Sequence, residues 1–449
     1  STPAPWPPGE NVEERLAALG FEAPEDAAAA LARLARRLGR RPLSAEARRR
    51  LDRLMPALFA RIDALPEPDA GFDDLLGLIE TIAQRSAYLS LLHERPETLK
   101  RTVAVFRRSG RVARWVIDSP QLLDDLLDPI NGFALPEPPQ ILRDDVEASL
   151  NALARFRQAG FVRTALGQLD GGLERGAARR QLTRLAEAVL DGVARLTLDE
   201  PDGVTLIGYG NLGAGELHYS SDLDLVFLHP HGEPPRREIQ RLINALQLPL
   251  PGGKLYEVDT RLRPNGNAGL LVSSIDHFAR YQQQEAWTWE HQALIRARAV
   301  YGDAESIERF EAVRRRVLCQ PRDDGETRAA LAEMRDRQQQ QRDETPVRRI
   351  LGNLQFAAEL GILLRAPEVP ELCDARALRE QLEALAECGW LDRELVSGMI
   401  DLQAEAGEYR DRAFLERGDP PTPPDDLLEA ADAIWARVLG GDRGSSTPA

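Results

Sequence analysis

Apolar residues recur at helical spacing through the first part of the chain. Between Asn11 and about Asp128 the pattern is helical throughout. The clearest buried stripe follows the i, i+3, i+4, i+7 spacing and comprises Leu51, Leu54, Met55, Leu58, Phe59 and Ile62. Ser44 is placed to cap that helix, whereas Pro56 is expected to kink or break it. Asn11 and Glu14 predict a capping box for an earlier helix that Gly20 ends.

Proline-rich breaks divide the chain into predicted domains. Asp128-Pro129 and the stretch LPEPPQ at 135–140 end the first helical region. We therefore expect an N-terminal helical linker or regulatory domain over 1–135 and a second domain over 141–305. A C-terminal helical bundle is predicted over 306–440, and a disordered tail over 441–449.

The hydrophobic period changes inside the second domain. Residues 143–199 are helical, but 204–207 and 223–228 are short apolar runs typical of strands, and 254–263 alternate in part. Helical patterning returns in REIQRLINAL and in EAWTWEHQALIRARAVYG. The fold class predicted is therefore mostly α with a central α/β domain.

The amino-acid composition limits the kinds of partner and the cellular compartment that are expected. A formal net charge of −15 disfavours general binding of nucleic acid, and the arginine runs between 36 and 50 lie on helices that also carry acids. No apolar segment approaches the roughly 20 residues of a spanning helix, so no membrane partner is expected. Three cysteines without metal-ligand spacing favour the reducing cytoplasm. The missing initiator Met predicts a fragment or a processed chain.

Two carboxylates in LIGYGNLGAGELHYSSDLDLVFLH, residues 206–229, carry the strongest chemical signal. On a strand, Asp222 and Asp224 project to one face while Leu223 and Leu225 are buried on the other. Like charges this close are costly without a cation, and Mg²⁺ prefers such oxygens together with substrate phosphates. A polar exposed strand is the alternative, but it would not bury LDLVFL.

A third acid strengthens this interpretation. Asp259, in LYEVDTRLRP, lies on another predicted strand and can face the same point if the two strands are neighbours. Two metal ions there would activate the attacking oxygen and steady a leaving pyrophosphate. Asp259 would then lie closest to the nucleophile.

The glycines before this pair allow three interpretations. Gly208-x-Gly210-x-x-Gly213 satisfies a dinucleotide-binding fingerprint, yet the acids arrive too soon for that fold. No Lys-Ser or Lys-Thr follows, which excludes a Walker A loop. The remaining role is a tight turn whose backbone N–H groups, at a helix N-terminus, meet nucleotide phosphates, with hydroxyls from Ser220 and Ser221.

Three stretches together resemble a known family. GYGNLGAGELHYSSDLDLVFLH, LYEVDTRLRPNGNAGLLV and EAWTWEHQALIRARAVYGD are similar to the adenylyltransferase domain of bacterial glutamine synthetase adenylyltransferases, through roughly residues 140–303. The resemblance implies a polymerase-β-like nucleotidyltransferase core flanked by helical bundles. It also implies Mg²⁺-dependent transfer of AMP from ATP to a tyrosine of glutamine synthetase, in control of nitrogen assimilation, with a PII-type signalling protein as a further partner.

The resemblance also assigns residues by position. Asp222, Asp224 and Asp259 would bind metal, and Gly213 with Ser221 would lie at the phosphates. Two roles stay open for four arginines: they would contact phosphate or nucleotide, or they would form salt bridges that support the fold. These residues are Arg261, Arg263, Arg296 and Arg298.

Several positions depart from the family pattern. Asn211 and Ala214 stand where the family has a lysine and a second glycine, and Asn353 and Gln355 stand where an Asp and a Glu are expected. Loss of those groups predicts altered or weakened activity. Two alternatives to the enzyme reading therefore remain: a catalytically weakened regulator of the same fold, and an adenylyltransferase for another protein acceptor.

Overall fold

The computed structural model describes residues 4–40, 43–63, 66–127, 133–200, 203–230, 232–341 and 344–441. Within these ranges helices dominate, and one small mixed sheet lies among them. The predicted class, mostly α with a central α/β region, is confirmed. No helix in these ranges is long and apolar enough to cross a bilayer. The predicted tail lies, beyond Gly441, outside the described residues.

The chain forms two compact units. The first comprises Ser1–Leu135, Gln158–Leu173 and Arg412–Pro420, and the second comprises Pro136–Arg157, Glu174–Asp411 and Pro421–Ala449. The domain boundaries drawn from the sequence stay predictions.

Short amphipathic helices build the first unit from one buried stripe each. Their bounds are α1 Val12–Ala18, α2 Pro24–Arg40, α3 Ala45–Asp63, α4 Phe72–Ile82, α5 Ser86–Glu94, α6 Pro96–Arg108, α7 Gly110–Asp118 and α8 Leu123–Leu127. The stripe predicted for α3 is buried throughout, and Ser44 Oγ accepts a hydrogen bond from Ala47 N at 3.1 Å.

Two local predictions for this unit are wrong. The break expected at Pro56 does not occur, because α3 continues through the proline and buries apolar residues on both sides of it. A kink at Pro56 stays a prediction. Asn11 is the N-cap of α1 with a φ of +62°, and its side chain makes no capping hydrogen bond. In that left-handed conformation the predicted capping box does not form.

The second unit contains the sheet, with strands β1 Thr205–Gly208, β2 Leu223–His229, β3 Val258–Asp259, β4 Val272–Ser274 and β5 Arg298–Tyr301. The order is β3-β2-β1-β5, with β4 also paired to β2. β1 is antiparallel to β2 and β5, whereas β2 is parallel to β3 and β4. An antiparallel β1–β2 pair is incompatible with the parallel dinucleotide-binding unit, in agreement with the sequence argument.

Helices enclose this sheet and supply most of the second unit's core. Their bounds are α9 Val146–Leu169, α10 Arg175–Thr197, α11 Gly210–Gly213, α12 Arg236–Gln247, α13 Ile275–Gln284, α14 Thr288–Ile295, α15 Ala304–Leu318, α16 Asp324–Gln341, α17 Pro346–Arg365, α18 Leu378–Glu387, α19 Arg393–Leu415 and α20 Asp425–Leu439. The N-terminal part of α9 belongs to this unit and the C-terminal part to the first. Apolar residues of α17, such as Leu354 and Leu360, are completely buried.

In the sheet region, two elements of the structure differ from those predicted from the sequence. The strand expected over 254–263 is reduced to β3, because the chain turns after Asp259 and Arg263 N bonds back to Thr260 O at 3.4 Å. The helix expected through residue 302 ends at Ile295, and RAVY forms β5 instead. Pairing with β1 there overrides the helical period.

Candidate active site

Two of the predicted acids lie at the start of β2. Leu223 and Leu225 are fully buried, Asp224 between them is half-buried, and Asp222 just before the strand is exposed. The alternation of the pleated strand therefore places both carboxylates on the side away from the core.

The third acid is brought beside them by strand pairing. β3 pairs in parallel with β2, with Leu223 opposite Val258 and Asp224 opposite Asp259, and Leu223 N donates to Glu257 O at 2.9 Å. Residues opposite each other in a parallel pair face the same side of a sheet. The expectation that the two strands are neighbours is confirmed.

The neighbouring carboxylates affect the pKa of Asp224. Burial, together with the negative charges of Asp259 and Asp222, raises the pKa of Asp224 to about 6. Arg296 and Arg261 act against this shift by stabilising the ionised carboxylate. The site thus concentrates negative charge that two arginines only partly balance.

Asp259 already has a cationic partner. Arg261 Nε donates to both carboxylate oxygens of Asp259, at 3.0 and 2.8 Å, and the Arg261 backbone N–H donates to Oδ1 at 2.8 Å. Among the described residues, no three His, Cys, Asp or Glu side chains are grouped so that they could hold a metal ion. The metal-ligand role of the three aspartates stays a prediction.

The oxygen donors present nevertheless suit a hard divalent cation. Mg²⁺ commonly binds one or two carboxylates together with substrate phosphates and water. Asp222 and Asp224 supply such a pair, and the pKa of Asp224 is raised first by burial and then by the repulsion of neighbouring carboxylates that a cation would relieve. These two residues therefore fit the ion, whereas both carboxylate oxygens of Asp259 accept hydrogen bonds from Arg261.

The predicted glycine turn lies directly against the acids. Gly210 has a φ of +53°, and a Cβ there would come within 2.7 Å of Asp224 Oδ2. A Cβ on Gly213 would meet the carbonyl oxygens of Arg296 and Gly208 at 2.0 and 2.3 Å. Both glycines are therefore required by close packing of the turn, whose helix α11 is a single turn long. Phosphate binding by this turn stays a prediction.

Ser220 and Ser221 follow the turn on the loop before β2. The Ser221 hydroxyl accepts hydrogen bonds from His218 N at 3.1 Å and from Asn211 Nδ2 at 3.4 Å. The Ser220 hydroxyl lies 3.2 Å from His218 Nδ1 and is exposed. Local hydrogen bonds hold both hydroxyl groups in the loop that leads to Asp222.

Arg263, Arg296 and Arg298 bond to protein groups in this structure. Arg263 Nη1 donates to Thr260 O and Oγ1, both at 2.7 Å. Arg298 Nε donates to Gly213 O at 3.1 Å and so fixes the glycine turn. For these side chains the framework role is the observed one.

Arg296 combines a framework role with an electrostatic one. Its Nη2 donates to Asn211 Oδ1 and to Glu216 Oε2, each at 3.1 Å. A guanidinium thus lies beside the position where the family has a lysine. Glu216, which also lies 3.6 Å from Arg179, was not predicted from the sequence, because its partners are distant along the chain and no motif connects them.

The two amides on α17 are bonded within the helical part of the second unit. Asn353 accepts from Arg335 Nε at 2.9 Å and donates to Asp432 Oδ1 at 2.8 Å. Gln355 Nε2 donates to Glu359 Oε1 at 2.8 Å and to Gln381 Oε1 at 3.0 Å. These contacts give both residues a packing role, and the predicted loss of activity stays untested.

The part of the chain that contains this site matches a known protein family. The family described as glutamate-ammonia ligase adenylyltransferase matches residues 99–313. This match covers the three aspartates, the glycine turn and the four arginines.

Curated relatives extend the similarity over nearly the whole chain. A bifunctional glutamine synthetase adenylyltransferase/adenylyl-removing enzyme of Xanthomonas axonopodis pv. citri is 38% identical over 466 residues, which cover 95% of this chain and 50% of the relative. Enzymes of the same name from Nitrosococcus oceani and Thioalkalivibrio sulfidiphilus are 38% and 33% identical and cover 87% and 96% of this chain. The chain spans about half the length of these relatives.

Proposed function

Residues 99–313 carry a domain of the glutamate-ammonia ligase adenylyltransferase family, which makes this chain a relative of those enzymes, and we propose that it transfers AMP from ATP to a tyrosine of glutamine synthetase. Mg²⁺ is the metal in this proposal. The observation that carries it is the pairing of Asp224 with Asp259 on neighbouring parallel strands, beside the glycine turn.

In the proposed reaction the tyrosine oxygen forms a bond to the α-phosphorus of ATP while the bond to the β-phosphate oxygen breaks. Pyrophosphate leaves, and Asp259 accepts the hydroxyl proton. Bound Mg²⁺ would neutralise charge on the triphosphate. Asp222 and Asp224 would hold that ion, and the rate enhancement would come mostly from positioning and from charge stabilisation.

A macromolecular acceptor is supported by an exposed aromatic residue at the start of α14. Trp287 precedes α14 and is 70% exposed, and its backbone N–H is held by Glu290 Oε2 at 2.9 Å. Helix α14 leads directly to Arg296. Large exposed aromatic residues on rigid elements are typical of protein contact surfaces.

The proposal is tested by incubating the chain with ATP, Mg²⁺ and unmodified glutamine synthetase, followed by intact-mass and tandem mass spectrometry of the acceptor. We expect addition of one AMP per modified subunit, located on a tyrosine. Asp222→Asn and Asp224→Asn should each lower the rate at least ~100-fold. Asp401→Asn, an exposed acid on α19, is the matched control and should retain the wild-type rate.

The outcomes separate the alternatives. Modification of another protein but not of glutamine synthetase would reject the proposed acceptor while keeping the reaction. Failure to modify any protein, with ATP binding intact, would reject the reaction itself and support a regulator of the same fold.

A further inference from the structure

The first unit contains a large open cleft that the proposed reaction does not use. It has a volume of about 1050 Å³ and is lined by residues between 67 and 71 before α4, the end of α6, the start of α7 and the segment 413–418. All of its lining residues belong to the first unit. We refer to it as the arginine cleft, after the five arginines that line it: Arg107, Arg108, Arg111, Arg114 and Arg417.

The arginines of the cleft outnumber its acids. Only two carboxylates, Glu67 and Glu416, are among its lining residues. Arg108 pairs with Glu416 at 3.2 Å, and Arg417 pairs with Asp74. These two ion pairs leave three guanidinium groups to account for.

Those three groups have no carboxylate partner within the described part of the chain. Arg107 Nη2 donates to the backbone oxygens of Pro66 and Glu67, the latter at 3.1 Å. Arg111 and Arg114 are exposed, and the guanidinium of Arg111 lies 4.7 Å from the ring centre of Phe414. Three positive charges are thus held together in a protein whose net charge is −15, an arrangement that a bound anion would stabilise.

The cleft also presents aromatic surface next to these charges. Trp115 and Phe414 both line it, with ring centres 6.3 Å apart and planes inclined at 40°. Guanidinium groups match phosphate oxygens through paired N–H donors, and aromatic rings stack on nucleobases. The volume is close to the upper end of the range for small-ligand sites.

We propose that the arginine cleft binds a nucleoside phosphate, with Arg107, Arg111 and Arg114 on the phosphates and the Trp115–Phe414 pair beside the base. The site is separate from the proposed active site, because none of the aspartates or glycines of that site lines it. Its existence does not depend on the proposed function.

The first test locates the ligand directly. Wild-type protein is irradiated with 8-azido-ATP in EDTA, which removes the metal-dependent mode of binding, and the labelled peptides are identified by mass spectrometry. We expect label within 107–118 or 413–418. Label confined to the turn at 208–224 would overturn the proposal.

The second test measures affinity by equilibrium dialysis with labelled ATP in EDTA. Arg111→Ala/Arg114→Ala should weaken binding at least tenfold, and the lysine pair Arg111→Lys/Arg114→Lys should lose less. Arg48→Ala/Arg49→Ala is the matched control, since both arginines are exposed on α3 outside the cleft, and it should bind as the wild type does. Equal affinity of the two alanine variants would contradict the proposal.

Competition identifies which part of the ligand is recognised. Inorganic pyrophosphate and adenosine are each titrated against bound labelled ATP. Weak displacement by both, with strong displacement by unlabelled ATP, supports recognition of phosphate and base together. Displacement by pyrophosphate as strong as that by ATP would exclude a contribution from the aromatic pair and reject the nucleoside part of the proposal.

Discussion

Asp224 shows how a single residue combines functional chemistry with a cost in stability. Burial and two neighbouring carboxylates raise its folded-state pKa from 3.8 to about 6. Because the unfolded chain ionises at the lower pH, the carboxylate destabilises the fold progressively as the pH rises from 3.8 to about 6. Above that window the cost is at most roughly 3 kcal/mol, at about 1.36 kcal/mol per pKa unit.

Asp224→Asn should therefore stabilise the metal-free protein at pH 7.5, by about 1–2 kcal/mol, while it lowers the rate of AMP transfer at least ~100-fold. Urea unfolding in EDTA measures the free energy of unfolding. Asp401→Asn, which removes an exposed acid, should leave that free energy unchanged. A lower stability of Asp224→Asn would show that its carboxylate forms favourable contacts instead.

The individual acids were predictable from the sequence, but their partners were not. The spacing of Asp222 and Asp224 fixes their common face once a strand is inferred. The bond between Arg261 and Asp259 depends on how the chain turns after β3, which no periodicity encodes. The contact of Arg296 with Glu216 likewise joins residues 80 positions apart.

At the scale of secondary structure, the glycine turn is fixed by the elements around it. Gly213 packs against the carbonyl of Arg296, just before β5, and its own carbonyl accepts from Arg298. A side chain at this position cannot be accommodated unless β1, α11 and β5 move relative to one another.

Gly213→Ala should lower the free energy of unfolding by ~3 kcal/mol, because a methyl group 2.0 Å from a carbonyl oxygen forces the backbone apart. Chemical denaturation monitored by circular dichroism provides the measurement. The matched variant is Gly398→Ala on α19, where no atom outside the adjacent part of the helix lies within 4 Å of the added methyl group. It should stabilise the protein by about 0.5–1 kcal/mol through helix propensity, and a similar loss in both variants would contradict the packing argument.

Long amphipathic helices were predicted well because their stripes are read from one segment alone. The short strands were less predictable: β3 has two residues, and β5 lies in a stretch with a helical period. Both exist because β2 and β1 offer unpaired edges, which is a property of the assembled sheet.

At the scale of the whole molecule, one buried acid links stability to pH. Glu359 on α17 is buried and accepts from Gln292 Nε2 at 2.6 Å and Gln355 Nε2 at 2.8 Å. Burial raises its pKa from 4.5 to about 7. A raised acid pKa contributes stability that is fully present below pH 4.5 and is lost as the pH rises towards 7.

Glu359→Gln should remove that dependence, so that the variant gains up to roughly 3 kcal/mol relative to the wild type between pH 4.5 and 8. Urea unfolding curves at several pH values measure this difference. Glu405→Gln, an exposed acid on α19, is the control and should follow the wild-type curve. A constant offset between Glu359→Gln and wild type across this range would contradict the assigned protonation.

The net charge describes the protein as a whole but does not show how charge is distributed over its surface. A net charge of −15 correctly signals an acidic protein, but it hides the arginine cleft, whose members come from α6, α7 and the segment after α19. Only folding brings residues near 110 and 415 to one surface.

The ion pair between Arg261 and Asp259 changes the net charge of the cluster formed by Asp222, Asp224 and Asp259. In the absence of a divalent ion, this tethered guanidinium serves as an intramolecular counter-ion that limits repulsion between neighbouring strands. The proposed divalent ion would compete with Arg261 for the oxygens of Asp259, and its apparent affinity would be reduced by the strength of this ion pair.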